Sequence, residues 1–157
     1  MTEIFINKAR VCAVTGHRVL EKNFSSSRLE NILTRVIQAG FNTFLVGMAI
    51  GFDIECLKIL NKLKKDFQIK TIACIPCESQ DYKFTKEQKE EYENLLQTVD
   101  EKVLISKTYT KYCMMKRNRY MVDNCSLLIA YLKRDFGGTF NTVEYAKHKG
   151  IQILPIE

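Results

Sequence analysis

The chain has 157 residues, 46% of them hydrophobic and only two of them proline, which excludes disordered and repeat classes and fits one compact domain over 1–157. A formal net charge of +6 and a pI near 9.0 favour anionic partners such as nucleotides or nucleic acid. No apolar run reaches the roughly 18 to 20 residues that cross a bilayer, and the opening MTEIFINKARV lacks the apolar h-region of a signal peptide, so a cytoplasmic protein with no membrane partner is expected.

Apolar runs of β character alternate with segments of helical period, the pattern of an α/β fold with a mostly parallel sheet covered by helices on both faces. The spacing predicts a first strand over Val11–Thr15. In SSSRLENILTRVIQAG, Ser27 and Glu30 stand at capping-box spacing, Leu29, Ile32, Leu33, Val36 and Ile37 share one face, and Gly40 stops the helix. NTFLVG is a short second strand. MAIGFDIECLKILNKLKKDF turns into a second helix with Ile54, Leu57, Leu60 and Leu63 inward and its lysines on a solvated face. IKTIACIP reads as the third strand, TKEQKEEYENLLQTV as an exposed third helix and KVLIS as the fourth strand. YCMMKRNRYMVDNC is a fourth helix, LLIAYL a fifth strand, and NTVEYAKHKG with IQILPI a last helix and strand.

The six cysteines fall inside apolar stretches, which reads as buried thiols in a reducing compartment rather than a disulfide framework. Cys74 and Cys77 form a C-x-x-C, but no second C-x-x-C or H-x-x-x-H completes a tetrahedral site, so no metal and no cofactor are expected.

In such a sheet, ligands bind at the carboxyl ends of the strands, and three polar loops fall there. Thr15, Gly16, His17 and Arg18 follow the first strand; Gly47, Gly51 and Asp53 follow the second; Gly137, Gly138 and Thr139 follow the fifth. Glycine lets backbone approach a ligand closely, and a helix N-terminus just beyond it offers N–H groups and a positive dipole end to phosphate. None of the loops is a Walker A or an intact G-x-G-x-x-G, which argues against a P-loop ATPase or a nicotinamide dehydrogenase. Asp53 either caps the second helix or meets a ribose hydroxyl. His17 is either a turn residue or a donor to ligand.

On a helical wheel the fourth helix places Met114, Met115, Met121, Val122 and Cys125 on one face, with Asn118 near its centre and Arg117 and Arg119 at its borders. A guanidinium there suits phosphate or ribose recognition, or snorkels to the surface. Asn141 and Glu144 stand at N-cap and N3 spacing, so Glu144 is either a helix-capping residue or a group that acts on a ligand.

Taken in order, TGHR, GMAIGFD, MMKRNRYMVDNCSLLIAY and GGTFNTVEYA resemble the YpsA-like branch of the SLOG superfamily. That superfamily also contains the Lonely Guy phosphoribohydrolases and the DprA DNA-processing proteins, and the resemblance runs from about Val11 to Leu154. It implies a Rossmann-like three-layer sandwich with a nucleotide-type pocket over the strand ends. Lonely Guy enzymes cleave the N-glycosidic bond of a nucleoside 5′-monophosphate with an arginine in R-K-x-x-M and a glutamate in P-G-G-x-G-T-x-x-E. Arg117 and Glu144 fall at matching positions.

Three readings follow. The first is a module that binds a nucleotide or ADP-ribose-like ligand through the residues of the three loops with Arg117 and Asn118, as a sensor, regulator or sequestering protein. The second is a nucleoside-monophosphate N-glycosidase acting through Glu144 and Arg117. The third, less favoured, is a DNA-binding module using the basic stretch KTYTKYCMMKRNRY, with Tyr109, Tyr112 and Tyr120 for stacking. The resemblance also implies a homodimer.

Overall fold

Six short apolar runs become strands in the computed structural model, which describes residues 8–157. Most of the opening segment expected to lack a signal peptide lies outside the described residues. The strands are β1 (Val11–Gly16), β2 (Thr43–Val46), β3 (Lys70–Ile75), β4 (Glu101–Leu104), β5 (Leu127–Tyr131) and β6 (Gln152–Pro155). Five helices connect them: α1 (Ser26–Gln38), α2 (Phe52–Leu63), α3 (Lys86–Leu96), α4 (Cys113–Asp123) and α5 (Gly138–His148). The strands form one sheet in the order β4-β3-β2-β1-β5-β6, with every neighbouring pair parallel. The fold is a three-layer α/β sandwich of Rossmann type.

Burial on both faces explains why the central strands read as unbroken apolar runs rather than alternating ones. All five residues of β5 are buried, as are Val11 to Thr15 of β1. Period two then divides the core. Phe44 and Val46 of β2 pack with Leu29 and Leu33 of α1 and with Leu57 and Leu60 of α2 on one face. Leu45, Ile72 and Leu128 pack with Met121 and Val122 of α4 and with Val143 and Ala146 of α5 on the other.

The structure corrects several local expectations. The N-cap of α1 is Ser25, whose hydroxyl accepts from the Arg28 amide at 3.2 Å, so the helix begins before the Ser27–Glu30 spacing. Three successive serines offer three equivalent caps, and the spacing alone selects the wrong one. α3 does carry a capping box, between Thr85 and Gln88, and buries only Tyr92. The lysines of α2 point outward but are not merely solvated. Lys58 pairs with Glu91 of α3 at 2.9 Å, Lys62 with Glu30 of α1 at 2.7 Å, and Lys64 with Asp100 at 3.0 Å. The inward face of α4 centres on Arg117 between Cys113 and Met121, at i−4 and i+4, while Met115 is exposed.

α5 begins at Gly138, ahead of the predicted Asn141 start; the Asn141 amide donates to Gly137 O at 2.9 Å and lies within the first turns. Asn141 and Glu144 are therefore not a capping pair. Among the described residues no helix is long and apolar enough to cross a membrane.

Strand order sets where a ligand can enter. The chain moves from β1 outward through β2, β3 and β4, then returns across the sheet to place β5 on the other side of β1. The connections leaving β1 and β5 thus diverge, and a crevice opens between them at their carboxyl ends.

Candidate functional site

A pocket of about 700 Å³ occupies that crevice. Loop β1–α1 supplies Thr15, Gly16, His17, Arg18, Val19 and Glu21; the start of α2 supplies Ala49 and Asp53; α4 supplies Met114, Arg117 and Asn118; the β5–α5 connection supplies Lys133, Arg134, Gly138 and Thr139.

His17 is buried against Tyr131, ring centroids 5.9 Å apart, and its Nε2 accepts from the Lys133 amide at 2.8 Å. With Nε2 as acceptor, the proton of the neutral ring sits on Nδ1, which is buried and has no partner. Burial, then the nearby Arg134, pushes the His17 pKa below its ordinary value, which keeps the ring neutral. His17 therefore offers one unspent donor.

Gly47, Gly51 and Gly137 do not line the pocket, and for the first two the neighbours explain the need for glycine. A Cβ on Gly51, whose φ is +88°, would lie 2.3 Å from Arg18 O, so this residue lets loop β2–α2 lie against loop β1–α1. The two loops are tied by the Phe52 amide donating to His17 O at 3.1 Å. A Cβ on Gly47 would lie 2.9 Å from Arg117 Nη1 and 3.0 Å from Asp53 Oδ2.

Arg117 fills the space that Gly47 leaves. Its Nη1 donates to Gly47 O and, at 3.5 Å, to Cys74 O; its Nε donates to Asn118 Oδ1 at 2.8 Å. Gln80 Nε2 also donates to Gly47 O, at 3.1 Å, while Gln80 Oε1 accepts from Tyr92 OH at 3.3 Å. A buried guanidinium thus clamps the ends of β2 and β3. Asp53 stands beside it: Oδ2 accepts from the Ala49 amide at 3.3 Å, while Oδ1 is buried without a partner. Desolvation raises the Asp53 pKa from 3.8 to about 6, with Arg117 and the Ala49 hydrogen bond holding it back. The N-cap of α2 is Gly51, so Asp53 tethers the preceding loop rather than capping the helix.

At the far side, α5 starts on Gly137 with no side-chain cap, and nothing lies within 4 Å of where a Gly138 Cβ would stand. Gly138 and Thr139 at the start of the helix line the pocket together with Lys133, Arg134 and Arg18, an arrangement that suits an anion through the free amides of a helix start, its positive dipole end and the cations.

Glu144 is not part of this arrangement. It lies six residues into α5, about 9 Å along the axis, half exposed, with Oε1 3.4 Å from Lys147 Nζ. Thr15, Gly16, His17, Arg18, Asp53, Arg117, Asn118, Gly138 and Thr139 are brought together; Glu144 is not, so the Glu144–Arg117 pair is not assembled in the pocket. Lys133 and Arg134 join the site without having been singled out by sequence reasoning, although two cations immediately after an apolar strand mark its carboxyl end. Val19, Glu21 and Ala49 carry no such signal.

The six cysteines are free and buried. Desolvation pushes the Cys74 pKa up to about 12, so its thiol is neither a ready metal ligand nor a nucleophile at neutral pH. Among the described residues no three His, Cys, Asp or Glu side chains cluster to hold a metal ion.

Comparison with known proteins adds to this geometry. The family model YpsA, described as the YspA SLOG family, matches residues 12–152. The chain is similar to the uncharacterized SPbeta prophage-derived protein YoqJ of Bacillus subtilis (strain 168), with 30% identity over 119 residues, 66% of this chain and 68% of that protein. Its fold is similar to that of DNA processing protein A (DprA) from Streptococcus pneumoniae, with a TM-score of 0.73 at 21% identity, covering 96% of this chain but about half, 51%, of that one. It is also similar to DprA from Helicobacter pylori, a structure concerned with a single-stranded DNA binding mode, with a TM-score of 0.67 at 15% identity over 96% of this chain and 66% of that one.

Proposed function

The chain belongs to the YspA SLOG family, and from that premise we propose that it binds a nucleotide or ADP-ribose-like ligand over the carboxyl ends of the strands, as a cytoplasmic sensor, regulator or sequestering module. One observation carries this reading: an uncapped helix start with an open Gly138 shares a pocket with Arg18, Lys133 and Arg134. The amides and cations suit phosphate. The pocket volume, about 700 Å³, suits a ligand of nucleotide size. The buried His17 Nδ1 and Asp53 Oδ1 would complete their hydrogen bonds on its sugar or base.

The test is incubation of the purified protein with a panel from AMP to ADP-ribose and its cyclic forms, followed by mass spectrometry of the solution and of the heat-released fraction. Retention of an intact nucleotide, lost in an Arg134→Glu variant, is expected. Release of free base with ribose phosphate would replace binding by N-glycosidic cleavage, and absence of any retained or altered nucleotide would remove the proposal.

A second reading, single-stranded nucleic acid binding, rests on a different surface. Tyr109 and Tyr112 are more than half exposed, and Lys111 Nζ lies 5.4 Å from the Tyr112 ring centroid; aromatic faces with interleaved cations suit stacked bases. Tyr120 is partly buried and less available. Affinity for an oligonucleotide that falls steeply with salt would support this reading, and no binding at low salt would end it.

A further inference from the structure

The lining of the pocket is not uniform. Lys133, Arg134 and the start of α5 line it beyond β5, and Arg18 beyond β1, whereas Asp53 lines it at the start of α2, beyond the end of β2 and beside Arg117. β1 lies between β2 and β5, so Asp53 and the start of α5 stand beyond strands that β1 separates, with axes about 10 Å apart.

Asp53 is incompletely satisfied. The Ala49 amide engages only Oδ2, and Arg117 Nη1 and Nε donate to backbone carbonyls and to Asn118. Oδ1 is left buried with no donor in a residue that is only 6% exposed yet lines the pocket. A buried acceptor with no donor is costly, and folded chains rarely retain one unless something else fills it. Phosphate cannot fill it, because a carboxylate repels an anion and has no proton to give when ionised.

Resting on the nucleotide reading, we propose that Asp53 is the specificity-determining residue of the pocket, accepting a hydrogen bond from a neutral hydroxyl or amino group of a ligand whose phosphate is held at the start of α5. A nucleoside monophosphate carries such donors on its ribose and on the exocyclic nitrogen of its base. Inorganic phosphate and a simple dicarboxylate carry no such neutral donor.

The experiment is calorimetric titration of the full chain with ADP-ribose, AMP, 2′-deoxy-AMP, 3′-deoxy-AMP and purine riboside monophosphate, which lacks the amino group. One of the three deletions is expected to weaken wild-type binding about tenfold or more, because the hydrogen bond it removes is made to a charged acceptor. In Asp53→Ala the same deletion is expected to cost less than about threefold. The wild-type series needs no variant and so reads the specificity even if Asp53→Ala folds poorly. AMP and all three analogues binding the wild type alike would overturn the role of Asp53 while leaving the nucleotide reading intact. Binding of ADP-ribose that is equally tight to the wild type and to folded Asp53→Ala would likewise overturn the role of Asp53, and no binding by any of the five would overturn both.

Discussion

Replacement of Asp53 by asparagine is expected to stabilise the protein at neutral pH and to remove part of its pH dependence. Asp53 is buried, and its pKa rises from 3.8 to about 6 on folding. Below pH 3.8 both states hold the proton and the residue is neutral with respect to stability. Between 3.8 and about 6 the unfolded chain loses its proton while the folded chain keeps it, so stability falls as pH rises; above about 6 the penalty is complete. At about 1.4 kcal/mol per pH unit, the full penalty is about 3 kcal/mol. That penalty already includes the attraction of Arg117; the substituted amide keeps an acceptor for the Ala49 N–H but must bury a second polar group where Oδ1 has no partner, so the net gain should be about 1–3 kcal/mol at pH 7.5. For a chain of this length that is a rise in Tm of about 3–10 °C. Thermal unfolding of wild type and Asp53→Asn from pH 4.5 to pH 8 measures it: the two curves should converge at acid pH and separate through pH 6. A difference that stays constant across the range, or a variant less stable at pH 7.5, would refute the ionised, under-satisfied carboxylate.

Four further outcomes are expected. Gly51→Ala should cost at least about 2 kcal/mol, since it combines a φ of +88° with a Cβ 2.3 Å from Arg18 O, and a denaturant midpoint would report it. Gly138→Ala has open space and should leave stability unchanged or raise it by up to about 1 kcal/mol while lowering nucleotide affinity, a divergence seen by comparing melting with titration. Arg117→Met should shift the acid-limb transition of Asp53 to higher pH and lower stability by about 3 kcal/mol, because it removes both the charge that restrains the carboxyl and a donor to Gly47 O. The thiols should resist maleimide in the native state and react only on unfolding, as burial raises the pKa values of Cys12, Cys56, Cys74 and Cys125.

The sheet was legible because runs such as LLIAY and VCAVT can only be doubly covered strands, and the loops after them identified the edge at which the pocket opens. The start of α5 was not legible. A helix that begins on Gly137 and Gly138 carries no capping side chain, so nothing local distinguishes it from a loop, and Asn141 is the better beginning by residue type. Arg117 misled for a related reason. On a wheel the apolar Met114, Met115, Met121, Val122 and Cys125 centre the face on Asn118 and leave Arg117 at a border, and only the carbonyls of Gly47 and Cys74, remote in sequence, make a guanidinium at the centre of the buried face tolerable. Glu144 had the right residue type in the right motif, but its helix turns it toward Lys147.

The parallel sheet also sets an order of assembly. Two of its inner strands, β1 and β5, face each other as Cys12 opposite Leu127 and Gly16 opposite Tyr131, with three strands and four helices of intervening chain. No hairpin can close this pair early, and non-local closure is slow. On a ribosome, β1 through β4 can meet their neighbours while synthesis continues, but the crevice between β1 and β5 has only one wall until the Gly137–Gly138 segment has emerged. The wall that carries Lys133, Arg134 and the start of α5 is thus made after the one that carries His17 and Asp53, and a ligand cannot be gripped between the two before α5 has emerged.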